Sequence, residues 1–204
     1  MDSSVRGPFI PPMLRRILPW WSPFLSRLIS GSAALMGSTI SCQADPDDDE
    51  GSYAGVPHVQ SHAMAMTQEA LQAMREAGIM KCTKGVGSRS RIWWDTEASV
   101  AVLRAGLAID CLMVRYQGVD WLDVANWRCN AETDPLMEFS YDGVTLDPYE
   151  TVFARVDKLL LQLGHPAAEA ANKYDQWMHH VSACGFILIL AHADTTLVGF
   201  IRLA

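Results

Sequence analysis

Five acids fall within six consecutive positions, Asp45-Pro46-Asp47-Asp48-Asp49-Glu50. A packed interior does not accept such a run, because every buried carboxylate would need its own partner. The chain on either side is therefore expected to be organised separately. Positions 3 to 44 hold Arg6, Arg15, Arg16 and Arg27 and no acid. After the acidic run comes a second cationic island, Lys81, Lys84, Arg89 and Arg91, again without an acid. The net charge of −7 over 204 residues is thus an average over unlike segments. An acidic mean speaks against a dedicated nucleic-acid binder, whose footprint is basic, so no specific DNA binding is expected. It does not speak against an anionic membrane meeting the cationic front end. Half of the residues are hydrophobic, enough for a real core, which excludes wholesale disorder.

Residues 13 to 30 combine Leu14, Arg15, Arg16, Trp20, Trp21, Phe24 and Arg27. Aromatic rings favour the headgroup level of a bilayer and arginine is attracted to anionic lipid, so these residues are candidates for membrane contact. Pro19 and Pro23 argue for short turns rather than one continuous helix. Arg27 interrupts the apolar run, so no segment spans a membrane. Export is a second reading. Leu28 to Ile40 is moderately apolar and precedes Cys42, a candidate lipidation site, with Gln43 to Glu50 as a polar tether. A mitochondrial presequence is the third, from the arginines, the serines and the lack of acids. The expected division is an arm or targeting segment over 1–44, an acidic flexible linker over 45–60 and one globular domain over 61–204.

Within that domain, Thr67 to Ala77 reads as a short helix stopped by Gly78. The basic stretch from Ile79 to Trp94 reads as one or two strands around a Gly/Ser loop. Asp95 is placed to cap a helix running to Tyr116, apolar nearly all round and hence buried. Val119 to Cys129 predicts a shorter helix beside it. Asp142-Gly143 marks a hairpin turn within Leu136 to Leu146. Asp147-Pro148-Tyr149-Glu150 is an N-cap, a first-turn proline and a first-turn acid, opening a helix to Leu163. Ala167 to Ala183 predicts a further helix, and Phe186 to Leu203 a closing hairpin. The fold class is α+β, helices packed on a small, mostly antiparallel sheet, with a flexible N-terminal arm.

Few residues suggest chemistry. The five cysteines, at 42, 82, 111, 129 and 184, show no zinc spacing. Cys111 in an apolar run reads as a small hydrophobe, and the four apart from Cys42 would suit two disulfides in an exported chain. His58 and His62 have metal spacing only on a helix, and His179-His180 point apart, so no metal is expected. Lys81, Lys84, Arg89 and Arg91 surround a Gly/Ser loop that suits an anion but is neither a P-loop nor a dinucleotide fingerprint. No catalytic motif is present and no cofactor is indicated.

The basic start, the acidic linker with Tyr53, and the basic stretch leading into a long helix from Arg89 to Tyr116 resemble the matrix proteins of rhabdoviruses. So do Lys173-Tyr174 and Trp177 ahead of Gly185 and Phe186-Ile187-Leu188-Ile189. Pro11-Pro12 lacks the tyrosine of that family's budding motif. The resemblance implies a non-enzymatic, peripheral membrane protein that assembles at the cytoplasmic face of a membrane or in a virion. It would link the membrane to a protein or ribonucleoprotein partner and self-associate. The alternatives are a periplasmic or extracellular lipoprotein or secreted binding domain tethered at Cys42, and a small enzyme without a readable motif.

Overall fold

The computed structural model describes residues 5–11, 13–14, 17–45, 54–80, 91–156 and 164–181. Its centre is a three-stranded sheet. The middle strand is β2 (Leu35–Gly37), with two edge strands, β5 (Met64–Met66) antiparallel and β6 (Ile109–Cys111) parallel to it. Two short antiparallel pairs complete the β structure. Val5–Arg6 (β1) pairs with Ala154–Arg155 (β7), and Ile40–Ser41 (β3) pairs with His58–Val59 (β4). The chain is an α+β protein, and antiparallel pairing predominates.

Side-chain alternation along these strands builds two cores, one on each face. Leu35, Met64, Met66, Ile109 and Cys111 point to one face, where they meet Ala70 and Met74 of α2 (Gln68–Glu76) and Ala98, Ala101 and Val102 of α3 (Arg91–Arg104). Met36 and Ala65 point to the other, against Phe24 and Leu28 of α1 (Ser22–Ile29) and Phe153. The result is α1, sheet, then α2 with α3. Gly37 is required where β2 meets β4, since a Cβ there would collide with the Val59 side chain.

Asp110 alternates onto the α1 face with no choice of side. Its carboxylate accepts the Cys111 N–H at 2.7 Å and lies 3.6 Å from the Arg27 guanidinium, which also donates to Gln117 Oε1 at 3.3 Å. Burial nevertheless pushes the Asp110 carboxyl above the usual carboxylate range, against the pull of the Cys111 amide and Arg27.

The described part of residues 1–44 is folded against the rest of the chain. Phe9 is fully buried and its ring lies 5.0 Å from that of Tyr174, on the helix α5 (Pro166–Val181). A boundary near residue 60 would part β2 from both of its neighbours. The acidic run at 46–50 lies outside the described residues.

Several helices differ from expectation. α3 begins at Arg91, so Trp93 and Trp94 are helical, and Asp95 sits inside it, buried, accepting the Ser61 N–H at 3.1 Å rather than capping. It ends at Arg104, before Gly106 at φ +72°; the apolar stretch beyond is β6 and a single 3-10 turn at Val114–Tyr116. An apolar run without amphipathicity fits a buried strand as well as a buried helix, and here the glycine decides. The segment from 119 to 129 is a loop with one 3-10 turn, Val124–Asn126. Asp147 does cap, accepting the Tyr149 N–H at 2.8 Å, but its helix α4 is only Pro148–Thr151. Val152 leaves it at φ +65° so that β7 can pair with β1. Asp142-Gly143 turns as expected, at φ +49° and +87°, with a single bridge between Tyr141 and Val144 instead of strands. The stretch 186–203 lies outside the described residues.

Cys42 and Cys129, 87 residues apart, form a disulfide. Cys42 is fully buried and its sulfur is committed to that bond, so it cannot also carry a lipid thioether. Closing a loop of that length removes unfolded-state entropy worth about 4.6 kcal/mol in the chain-entropy model. The double variant Cys42→Ser/Cys129→Ser should therefore unfold roughly 10 °C lower by calorimetry. Reductant should lower the wild-type midpoint by a similar amount and leave the variant unchanged.

Candidate functional site

The described residues expected to contact a membrane are dispersed. Phe24 is only 1% exposed, and Trp20 stands edge-on to Phe153 with ring centroids 5.3 Å apart. Arg27 is paired with Asp110, Trp21 is half-buried, and Leu14 is exposed. The amphipathic face of α1 packs on the sheet. Arg15 and Arg16 lie outside the described residues, as do Lys81, Lys84 and Arg89 of the anion-binding set, and Arg91 opens α3.

The two histidines with metal spacing are both buried, on β4 and on the turn after it, so helical register does not bring them together. Among the described residues no three His, Cys, Asp or Glu side chains gather as a metal site. Cys111 is the free thiol among them, fully buried and pushed well above its ordinary pKa by that burial, which makes it inert.

One concave surface stands out, a groove of about 320 Å³ between α3 and the 119–129 loop. Val100, Leu103 and Arg104 line one wall, three positions on one helical face; Val56 closes an end, and Trp121, Leu122 and Trp127 line the opposite wall. No aspartate or glutamate lines it, and Arg104 supplies its formal charge. Among the described residues, no carboxylate pairs with Arg104.

The loop is shaped by its own aspartates. Asp120 accepts the Leu122 N–H at 3.0 Å, Asp123 accepts the Ala125 N–H at 2.9 Å, and Asn126 donates to the Asp120 carbonyl at 2.7 Å. Such side-chain turns fix a backbone that has no ladder to join. Trp127 Nε1–H then donates to the Trp121 carbonyl at 3.0 Å, which holds the Trp127 ring to the backbone of the loop. Trp121 itself is 2% exposed, edge-on to Tyr116 at 5.6 Å. Its Nε1–H meets no acceptor among the described residues. An orphaned buried donor costs about 1–3 kcal/mol.

Behind the loop, Tyr116 is the hub. Its hydroxyl accepts the Asn130 N–H at 2.9 Å and lies 2.9 Å from Asn130 Oδ1 and 2.8 Å from Asp142 Oδ2. Burial, reinforced by the Asp142 carboxylate, pushes Tyr116 above its ordinary pKa. Burial likewise raises Tyr141, whose hydroxyl donates to Glu150 at 2.8 Å. Both phenols therefore stay neutral donors at physiological pH. A helix over 119–129, as the apolar spacing predicts, would leave no groove; Asp120 and Asp123, each two residues ahead of the amide it accepts from, are the local signal for a loop instead.

His58 generates a pH dependence. Burial lowers it to about 4, although the Val56 carbonyl, 3.0 Å from Nδ1, and Asp45 both pull it upward. The folded protein then binds fewer protons than the unfolded chain between about pH 4 and 6.5. Stability is full above 6.5 and falls on acidification through that window, by up to about 1.4 kcal/mol per pH unit. Chemical denaturation of wild type at pH 7 and pH 5 should show that loss, and His58→Gln should flatten it. Equal stabilities for wild type at the two pH values would contradict a neutral, buried imidazole.

No protein-family model, curated protein or solved structure matches this chain.

Proposed function

We propose that this chain is a binding domain of an oxidising compartment, with the tryptophan-lined groove as its binding site. The groove carries the reading. It is concave, mostly apolar and edged by Arg104, at the small end of the range of about 300–1,000 Å³ usual for ligand sites. The Cys42–Cys129 bond supports the compartment, since disulfides persist where thiols are not kept reduced. In place of a lipoprotein tethered at Cys42, this reading has a binding domain braced by the Cys42–Cys129 disulfide.

The membrane-adaptor reading rests on other residues than expected. Met13, Ile17 and Ile29 are 77%, 78% and 66% exposed, whereas Phe24 and Leu28 of the same region are buried. Those three side chains favour contact with a bilayer, but they are few, and Arg27 is held by Asp110.

A fluorescent amphiphilic anion, anilinonaphthalene sulfonate, separates the two readings. The binding-domain reading expects emission to rise with wild type and its affinity to fall at least fivefold in Leu122→Asp, a half-exposed groove position. Flotation with phosphatidylserine-containing vesicles should leave wild type in the unbound fraction. Probe binding indifferent to Leu122→Asp, together with vesicle binding abolished by Ile17→Ser/Ile29→Ser, would replace the binding domain with the membrane adaptor.

A further inference from the structure

We infer that the groove takes a small apolar carboxylate, its hydrocarbon part against the tryptophans and its head group at Arg104. The inference rests on the binding-domain reading and names the ligand class for that site. The lining sets the chemistry. Val56, Val100, Leu103, Leu122 and the two indoles offer apolar surface, and no acid among the lining residues opposes an anion. In a chain of net charge −7, a concave surface whose formal charge is positive is a local reversal of sign.

One donor group awaits an acceptor there. Arg104 closes α3 with its guanidinium exposed, and no carboxylate among the described residues pairs with it. A guanidinium presents paired N–H groups that match the two oxygens of a carboxylate. Trp121, a lining residue only 2% exposed, keeps its indole N–H buried and closed to solvent, so it meets the groove as apolar ring surface. The N–H of Trp127 is used on the Trp121 carbonyl at 3.0 Å, which leaves that ring as apolar surface too. A guanidinium without a carboxylate partner, in an apolar setting, discriminates by charge and by hydrogen bonding together. A cationic amine of the same shape would face Arg104 and be repelled by it.

Isothermal titration with three eight-carbon probes tests this: octanoate, octanol and octylammonium, against wild type, Arg104→Gln and Arg104→Glu. Position 104 is exposed, so both variants keep the fold, which the far-ultraviolet spectrum and melting midpoint verify. The expected order in wild type is octanoate well above octanol, with octylammonium weakest. Arg104→Gln should weaken octanoate at least tenfold and leave octanol within twofold, and Arg104→Glu should reverse the preference toward octylammonium. If octanoate and octanol bind equally, and both depend on Leu122, the groove is a site but the carboxylate preference is overturned. If none of the three binds, the carboxylate inference and the binding-domain reading both fall.

Discussion

The bond between Cys42 and Cys129 ties the end of one strand pair to the end of the loop that makes the groove, and the surroundings of that loop depend on it. Cys42 follows β3, and the Asn130 side chain donates to the carbonyl of Ile40 in that strand at 2.7 Å. Sulfur and amide thus fasten the same two segments at adjacent positions. The chain needs the restraint. Arg128, Asn130, Ala131 and Glu132 have φ of +73°, +52°, +50° and +57°, a left-handed run that costs residues other than glycine roughly 1–2 kcal/mol each. Asn130 tolerates that region best, and its amide, carbonyl oxygen and NH2 group are all engaged with Tyr116 or Ile40. Strain persists only where the surroundings over-determine it, and here a covalent bond and a buried tyrosine do so.

The sheet explains why the front of the chain is not free to act elsewhere. β2 lies between a partner from residues 64–66 and one from residues 109–111, so the central strand comes from the segment ahead of the acidic run. Alternation on β6 turns Asp110 toward α1, and Arg27 is the cation that meets it. Tryptophan, phenylalanine, leucine and scattered arginine are equally the composition of a segment that lies on lipid and of a helix that covers a sheet face. What separates the two is a partner surface, and the partners of Phe24 are Met36, Ala63, Ala65 and Phe153, up to 129 residues away in sequence.

The parts of the fold legible in the sequence are those governed by neighbours a few residues apart. Thr67 caps α2 and accepts the Ala70 N–H at 3.3 Å; Asp142-Gly143 turns the chain; Asp147 and Pro148 start a helix. Where such a helix ends is a tertiary matter. α4 stops after Thr151 because β7 is needed opposite β1, a pairing across about 150 residues that no local pattern announces. The pairing of Cys42 with Cys129 was equally hidden, because five cysteines allow many connectivities and spacing favours none. The groove stayed hidden for both reasons, being assembled from a helix end, a loop taken for a helix, and the disulfide that positions that loop.

Fluorine NMR of the protein labelled with 5-fluorotryptophan, with the Trp127 resonance assigned from Trp127→Phe, tests most directly whether the bond holds the groove. Oxidised protein should give Trp127 one sharp resonance shifted from the random-coil position. Reduction should move or broaden that resonance while the signal of Trp20, packed on Phe153 across the sheet, stays in place. A Trp127 resonance unchanged by reduction would contradict the dependence of the groove on the Cys42–Cys129 bond.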